Sequence, residues 1–308
     1  MCTSMTYTNG DFYFCRNMDL DYRFGEKIVI TPRSATLNFK HEKTIEHHYA
    51  IMGTGMVVNS FPLYAEAVNE KGLCISAQNF PGNAHYEKSL CPNALNLAPY
   101  EIIPYILSSF GTVAEAEKSL SELVIVDTPF SDEISNTPLH FLIADANDAI
   151  VLETTKNGTK IHKNPVGIMT NNPTFDEQLS TLENYEHLTP VIPNENAHSL
   201  GLDLQGLPGD FSSSSRFVRL SILKKHLAKP TTKEETVATL FALMSSVSIP
   251  KGLVKSKSGK EHYTTYTCVI NATKGIYYTK LPASPEIKRT VLTEPTLNLA
   301  SLEEIEIN

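Results

Sequence analysis

Up to about residue 80 the chain is a series of short apolar runs, each bounded by polar turn residues. Residues 2–7 and 12–16 flank Thr8-Asn9-Gly10-Asp11. An Asn-Gly pair suits a tight turn with positive φ, so the two runs predict a β-hairpin. Residues 27–31, 49–58 and 73–77 predict further strands, and Asn69-Glu70-Lys71-Gly72 predicts the turn between the last two.

After residue 98 the period lengthens. Pro99 opens a predicted helix over 100–110, Pro104 predicts a break or kink within it, and Gly111 ends it. Thr112-Val113-Ala114-Glu115 has the form of a capping box and predicts a second helix to about residue 123. Strands return at 139–145, 150–155 and 167–170, with a hairpin turn at Asn157-Gly158. A second capping box, Thr174-Phe175-Asp176-Glu177, opens a helix to about residue 185. Residues 190–209 are rich in Pro, Gly and Asn and predict a loop. Residues 215–227 carry an apolar stripe at Phe217, Leu220 and Ile222, and 233–246 follow a third capping box at Thr232 and Glu235, so both predict helices. Residues 263–271 and 275–280 predict a final hairpin. No repeat or low-complexity linker divides the chain. Strands, helices, strands, helices, strands fits stacked layers with antiparallel sheets better than a βαβ fold. Residues 1–308 therefore read as one domain of the α+β class.

Composition agrees with a packed domain. Of 308 residues, 41% are hydrophobic and 19% charged, enough apolar content for a sizeable core. The net charge of -8 argues against nucleic acid as a partner, because phosphate binding needs a basic face. No apolar run approaches the roughly 20 residues of a membrane span. The start, MCTSMTYTNGDFYF, has neither the basic beginning nor the apolar centre of a signal peptide, and a cytoplasmic protein is expected. The five cysteines are scattered and odd in number, so no disulfide framework is implied. Cys15, Cys74 and Cys268 lie in strand-like apolar runs and read as small buried hydrophobes; Cys91 lies in a predicted loop and has no assigned role.

Several apparent motifs carry no chemistry. His41-Glu42 followed by His47 and His48 suggests zinc, but the helical HExxH pattern needs its second His at position 45, which is Ile. No metal and no cofactor is expected. Ser258-Gly259-Lys260 lacks the glycine spacing of a phosphate loop, and the serines at 212–215 form no GxSxG elbow. The sequons at Asn157 and Asn271 have no meaning in a cytoplasmic protein.

Cys2 is different. A free thiol titrates at about 8.5, an α-amine at about 7.7–8.0 and a lysine at about 10.4. Near neutral pH the α-amine is the better-matched base. A cysteine that becomes the first residue carries that base on its own Cα, and Met1 is ordinarily trimmed when a small residue follows. Position alone is shared by many chains, so Cys2 by itself also reads as an ordinary second residue.

The surrounding motifs change that weighting. MCTSMTY, FCRNMDLDYRFGE and VITPR resemble the choloylglycine hydrolase family, which holds bile salt hydrolases and penicillin V acylases in the N-terminal nucleophile hydrolase superfamily. The resemblance continues through NEKGLCISAQNFPG, TPLHFLIAD, GIMTNNPTFDEQL, GLPGDFSSSSRFVR and KGIYYTK, and so spans nearly the whole chain. It implies a four-layer αββα sandwich, two antiparallel sheets between helix layers, and a linear amide C–N hydrolase. It also implies that Met1 is removed, that Cys2 is the nucleophile, and that Arg16, Asp19, Asn79, Asn171 and Arg216 complete the site. Arg16 would favour the thiolate, Asp19 would hold the protonated amine, and Asn79 and Asn171 would face the oxyanion. Arg216 would add positive field. Taken singly, Arg16 and Asp19 read as a surface pair, and Asn79 and Asn171 as turn residues.

The substrate implied is a small amphiphilic amide. Asn79, where some penicillin V acylases have Tyr, favours a glycine- or taurine-conjugated bile salt over penicillin V or another N-acyl amide. A catalytically silent homologue that only binds amphiphiles is the alternative from another class. By resemblance Met18, Phe24, Val58, Phe130 and Ile134 line the substrate cleft; each also reads as ordinary core packing. Two departures stand out. The family's LHW motif is LHF here, with Phe141, and the loop ahead of GLPGD is short. That loop contributes subunit contacts in the family, so a homo-oligomer is expected with tetramer and dimer both open.

Overall fold

In the computed structural model, which describes residues 1–190 and 204–307, Gly10 takes φ 71° and folds β1 (Cys2–Asn9) back on β2 (Asp11–Leu20). The chain continues through β3 (Lys27–Thr31), β4 (Ile51–Val58), β5 (Phe61–Asn69), β6 (Cys74–Asn79) and β7 (Leu95–Leu97). A 3-10 turn (Pro99–Glu101) leads into α1 (Ile102–Ser109), followed by α2 (Val113–Leu120) and β8 (Leu123–Ile125). Next come β9 (Leu139–Ala144), β10 (Ala149–Thr155), β11 (Gly158–Lys163), β12 (Ile168–Met169) and α3 (Phe175–Glu183). The last third holds α4 (Ser213–His226), α5 (Lys233–Ser245), β13 (Val254–Lys255), β14 (Glu261–Asn271), β15 (Ile276–Lys280), β16 (Ile287–Val291), α6 (Glu294–Leu297) and β17 (Glu303–Glu306). Residues 191–203 of the predicted 190–209 loop lie outside the described residues.

Three differences from the sequence expectations have physical reasons. Pro104 does not break α1, because α1 begins at Ile102 and places Pro104 in the first turn, where the missing N–H has no acceptor to lose. The helix expected to reach about residue 123 stops at Leu120, because Leu123–Ile125 pairs in parallel with β7. β5 was not expected at all: Pro62 argues against a strand in a sequence window, yet it is tolerated at the second residue of β5.

Apart from the parallel β7–β8 pair, the described strands form two antiparallel sheets. Among the described residues, one sheet has the order β12-β1-β2-β14-β15-β16, with β13 on β14, and the other β11-β10-β9-β6-β5-β4-β3-β17. Helices cover the outer faces. Phe217 and Leu220 of α4 and Leu240, Phe241 and Met244 of α5 share one core with the first sheet. Ile102, Ile103 and Ile106 of α1, with Val113 and Ala116 of α2, pack on the second. Side-chain oxygens of Thr112, Ser212 and Thr232 accept from backbone N–H groups three residues on and cap α2, α4 and α5, each cap contributing about 1 kcal/mol. The inner faces of the sheets meet, giving the helix–sheet–sheet–helix order of an αββα sandwich.

Part of that inner contact is polar: Ser4 Oγ lies 2.9 Å from Ser76 Oγ, and Thr54 Oγ1 2.6 Å from Tyr277 Oη. Strands β4 and β5 approach closely at Gly53, where a Cβ would lie 2.2 Å from the Glu66 carbonyl oxygen and 2.4 Å from Ala67 Cβ. No helix among the described residues is long and apolar enough to cross a membrane.

Candidate active site

The β1–β2 hairpin builds the centre of the site by register. Cys2 pairs with Met18 and Ser4 with Arg16, so these four side chains share one face of the sheet. That face looks toward the second sheet, as the Ser4–Ser76 contact shows. Thr3, Asn17 and Asp19 occupy the opposite face, toward α4 and α5: Asn17 Nδ2 donates to the Met244 carbonyl of α5 at 2.8 Å. Arg16 and Asp19 are three residues apart on a strand and therefore act from opposite faces. Neither is a surface residue; Arg16, Asp19 and Arg216 are all fully buried.

Arg16 is held on the inner face. Its Nη1 donates to the Ala65 carbonyl and its Nη2 to the Ala77 carbonyl at 2.6 Å, both in the second sheet. Its Nη2 also donates to Cys2 Sγ at 3.3 Å, and Met18 Sδ is 3.6 Å from both atoms. Burial opposes the charge on Arg16, but the Cys2 sulfur and Glu66 outweigh it and raise the guanidinium above its ordinary value.

Arg216 reaches the same residue from the helix side. Its Nη1 donates to the Cys2 carbonyl at 2.7 Å and to Thr3 Oγ1, and its Nη2 donates to Asn171 Oδ1 at 2.9 Å. Burial pushes Arg216 below its ordinary value, against the pull of Asp19 and Cys2. An arginine stays charged under either shift. Asp19 Oδ1 accepts from Thr264 Oγ1 at 2.6 Å. Its other oxygen has no hydrogen-bond partner among the described residues and lies 3.8 Å from Arg216 Nη1. Burial pushes the Asp19 carboxyl up, while Arg216 and Thr264 pull it down.

Asn171 lies two residues past the end of β12 and is buried. Its Oδ1 accepts from the Cys2 backbone nitrogen at 2.7 Å, and its Nδ2 donates to the Asn79 carbonyl at 2.8 Å. One hydrogen of that amide remains. Asn172 points elsewhere and donates to the Pro81 carbonyl at 2.8 Å. Asn79 ends β6, half-buried. One ring supports both neighbourhoods: His140 stacks on Phe80 at 4.2 Å, and its Nε2 lies 3.0 Å from the Thr170 carbonyl.

Met1 is attached, and its ammonium donates to the Asp19 carbonyl at 2.7 Å. The Cys2 nitrogen in this form is an amide. It already occupies the position beside Asn171 Oδ1 that a freed α-amine would inherit.

The expected lining residues divide. Met18 touches Cys2. Phe24 lines an apolar cavity of about 180 Å³ with Met56, Tyr64, Tyr100, Leu139 and Phe141. Ala65 and Ala77, whose carbonyls hold Arg16, form part of its wall. Phe130 lines a neighbouring cavity of about 550 Å³ with Phe39, Phe61 and Tyr100. Tyr100 borders both, and its hydroxyl has no partner among the described residues. Val58 and Ile134 are half-buried and line neither cavity.

Elsewhere, Cys15, Cys74 and Cys268 are buried, Cys91 is exposed, and all are free thiols. His41 Nε2 sits 2.7 Å from Thr128 Oγ1, and both His48 nitrogens face backbone carbonyls. Sequence reasoning missed Glu66, Thr264 and His140. Glu66 was the most findable, as a charged residue amid the small and apolar residues of 61–69, but Pro62 hid the strand.

The family described as linear amide C–N hydrolases, choloylglycine hydrolase family, matches residues 2–305. The bile salt hydrolase/transferase of Lactiplantibacillus plantarum is 39% identical over 310 residues, covering 98% of this chain and 95% of that protein. A mutant conjugated bile acid hydrolase from Clostridium perfringens superposes with a TM-score of 0.93 at 31% identity, covering 100% of this chain and 97% of that one. Penicillin V acylase from Agrobacterium tumefaciens shares the fold, with a TM-score of 0.80 at 22% identity over 98% of this chain and 90% of its own.

Proposed function

The chain belongs to the choloylglycine hydrolase family of linear amide C–N hydrolases, and from that premise we propose that it hydrolyses the amide bond of glycine- or taurine-conjugated bile salts with Cys2 as nucleophile. The observation that carries the nucleophile is the convergence on one residue: Arg16 at Sγ, Arg216 at the carbonyl and Asn171 at the nitrogen. The likeness to bile salt hydrolases over nearly the full chain supports the substrate class.

Removal of Met1 turns the Cys2 nitrogen into a free amine. That amine takes the thiol proton, and the sulfur attacks the amide carbonyl carbon. A C–S bond forms and the carbonyl electrons move to oxygen, where the remaining Asn171 Nδ2 hydrogen and the Asn79 amide donate. The ammonium gives its proton to the leaving nitrogen, the C–N bond breaks, and a thioester remains. Water then attacks the thioester with the amine again as base, the acid leaves, and the thiol is restored. Asn171 Oδ1, already 2.7 Å from the Cys2 nitrogen, accepts from the ammonium, and the buried Asp19 carboxylate supplies opposing charge. No step calls on a metal or cofactor.

A second reading has its own support. The cavity of about 180 Å³ beside Arg16 is smaller than the roughly 300–1,000 Å³ typical of drug-sized ligands, and it suits a compact aryl-acyl group such as that of penicillin V. A steroid needs more room than this cavity gives, and the neighbouring cavity that shares Tyr100 is the space available beside it. Assays of purified protein on taurocholate, glycocholate and penicillin V separate the readings, with intact mass used to verify loss of Met1. Cleavage of both bile salts is expected. Cleavage of penicillin V alone replaces the first reading with the second, and no turnover by correctly trimmed protein points to a silent amphiphile-binding homologue.

A further inference from the structure

Glu66 lies on β5 with its carboxylate fully buried between the two sheets. Its Oε2 is 3.2 Å from Arg16 Nε. Tyr266 Oη donates to both of its oxygens, at 2.9 and 3.0 Å, and Tyr277 Oη donates to Oε1 at 2.6 Å. Cys268 Sγ is 3.8 Å from the same oxygen. Burial pushes Tyr266, Tyr277 and Cys268 well above their ordinary values, so all three are neutral donors. The guanidinium that faces Glu66 through Nε faces the Cys2 sulfur through Nη2. A buried carboxylate is costly unless it is paired, and here it is paired with the cation that donates to the Cys2 sulfur.

The buried charges around Cys2 balance. Arg16 is paired with Glu66, and Arg216 lies 3.8 Å from Asp19, so two guanidinium groups face two carboxylates. Transfer of a proton from the thiol to the α-amine creates one more charge of each sign and leaves the sum unchanged. Without Glu66 the site carries one excess positive charge. That excess favours the thiolate and disfavours the ammonium, so the nucleophile forms at lower pH but is weaker, and the base beside it is weaker too.

We propose that Glu66 is a positioning residue of this hydrolase, the counter-ion that cancels Arg16 and so keeps the Cys2 thiol matched to the amine that takes its proton. The proposal rests on Cys2 being the nucleophile. Orientation alone does not account for Glu66, because the Ala65 and Ala77 carbonyls already hold both terminal nitrogens of Arg16.

The test is the pH profile of Cys2 alkylation by iodoacetamide in trimmed protein, read on the N-terminal peptide so that exposed Cys91 does not contribute. In Glu66→Gln the midpoint moves down by about one pH unit or more, about tenfold in thiolate fraction. Turnover of the amide that the wild type cleaves falls by about tenfold or more, with KM within about twofold. A midpoint that stays put or rises overturns the proposal. Should Glu66→Gln fail to fold, Glu66→Asp keeps the charge and gives up only reach. Its midpoint stays within about half a unit of the wild type, and a larger displacement means Glu66 acts by geometry and not by charge. The alkylation readout needs no substrate. A protein whose Cys2 alkylates normally but cleaves no amide defeats the proposed function and still decides the role of Glu66.

Discussion

The Cys2 backbone nitrogen donates to Asn171 Oδ1 at 2.7 Å, across 169 positions of sequence. The same oxygen accepts from Arg216 at 2.9 Å, and the amide nitrogen of the same side chain donates to the Asn79 carbonyl. Asn171 thus joins the Cys2 nitrogen, Arg216 and Asn79. Asn171→Ala removes all three contacts. Turnover is expected to fall by about 10²–10³, the loss typical of one oxyanion donor, with circular dichroism unchanged. Turnover within a few-fold of the wild type would remove Asn171 from the machinery.

Cys2→Ser keeps size and shape but replaces the thiol with a far less acidic hydroxyl. We expect hydrolysis to disappear and the thermal midpoint to hold within a few degrees, because Sγ makes only sulfur contacts and one long contact with Arg16. Retained turnover in this variant refutes the nucleophile.

Tyr100 borders both the small apolar cavity and its larger, more polar neighbour. Tyr100→Ala joins them, so KM for taurocholate should fall relative to KM for penicillin V. Equal changes for both substrates would show that the larger cavity takes no part in binding the steroid.

Gly53 lets β5 approach β4 and bring Ala65 and Glu66 to Arg16. A methyl group at position 53 has no space against the Glu66 carbonyl and Ala67. Gly53→Ala is expected to destabilise the fold by about 1–3 kcal/mol, measured by urea unfolding, and to lower turnover by displacing β5. Neutral behaviour in both assays would contradict the close approach.

Asp210 tightens the start of α4, the helix that carries Arg216. Hydrogen bonds from Ser212 and Ser215 hold its carboxyl down to about 2. An unfolded aspartate titrates at about 3.9, so this contribution is complete above that pH and is lost as pH falls through about 2. Asp210→Asn should therefore lower the urea midpoint at neutral pH, with the gap from the wild type narrowing as pH drops below about 4. A gap of constant width across that range would mean the charge contributes nothing.

Much of this was legible in the chain. The Asn9-Gly10 turn, the periodic strands on either side and the three capping boxes are local signals, and the elements formed where those signals lay. The ordered motifs around Cys2, Arg16, Asn79, Asn171 and Arg216 named the family. Several strands stayed hidden, β16 and β17 among them, and so did β5, where Pro62 is a local argument against a strand that the neighbouring strands override. With it went Glu66, whose charge looks like an ordinary surface residue until the second sheet buries it. Arg16 and Asp19, adjacent in one motif, gave no sign of reaching Cys2 from opposite faces, although the two-residue period of a strand requires it.

By itself, then, the sequence determined many of the elements and the family, since each depends on local periodicity or on motifs read in order. Only the tertiary structure decided which charges meet. Two sheets packed face to face bring Glu66, Arg16 and Cys2 into line, and α4 brings Arg216 across to the other side. Those contacts form between residues as many as 214 positions apart. Their strength comes from exclusion of water, a property of the packed whole that no segment possesses alone.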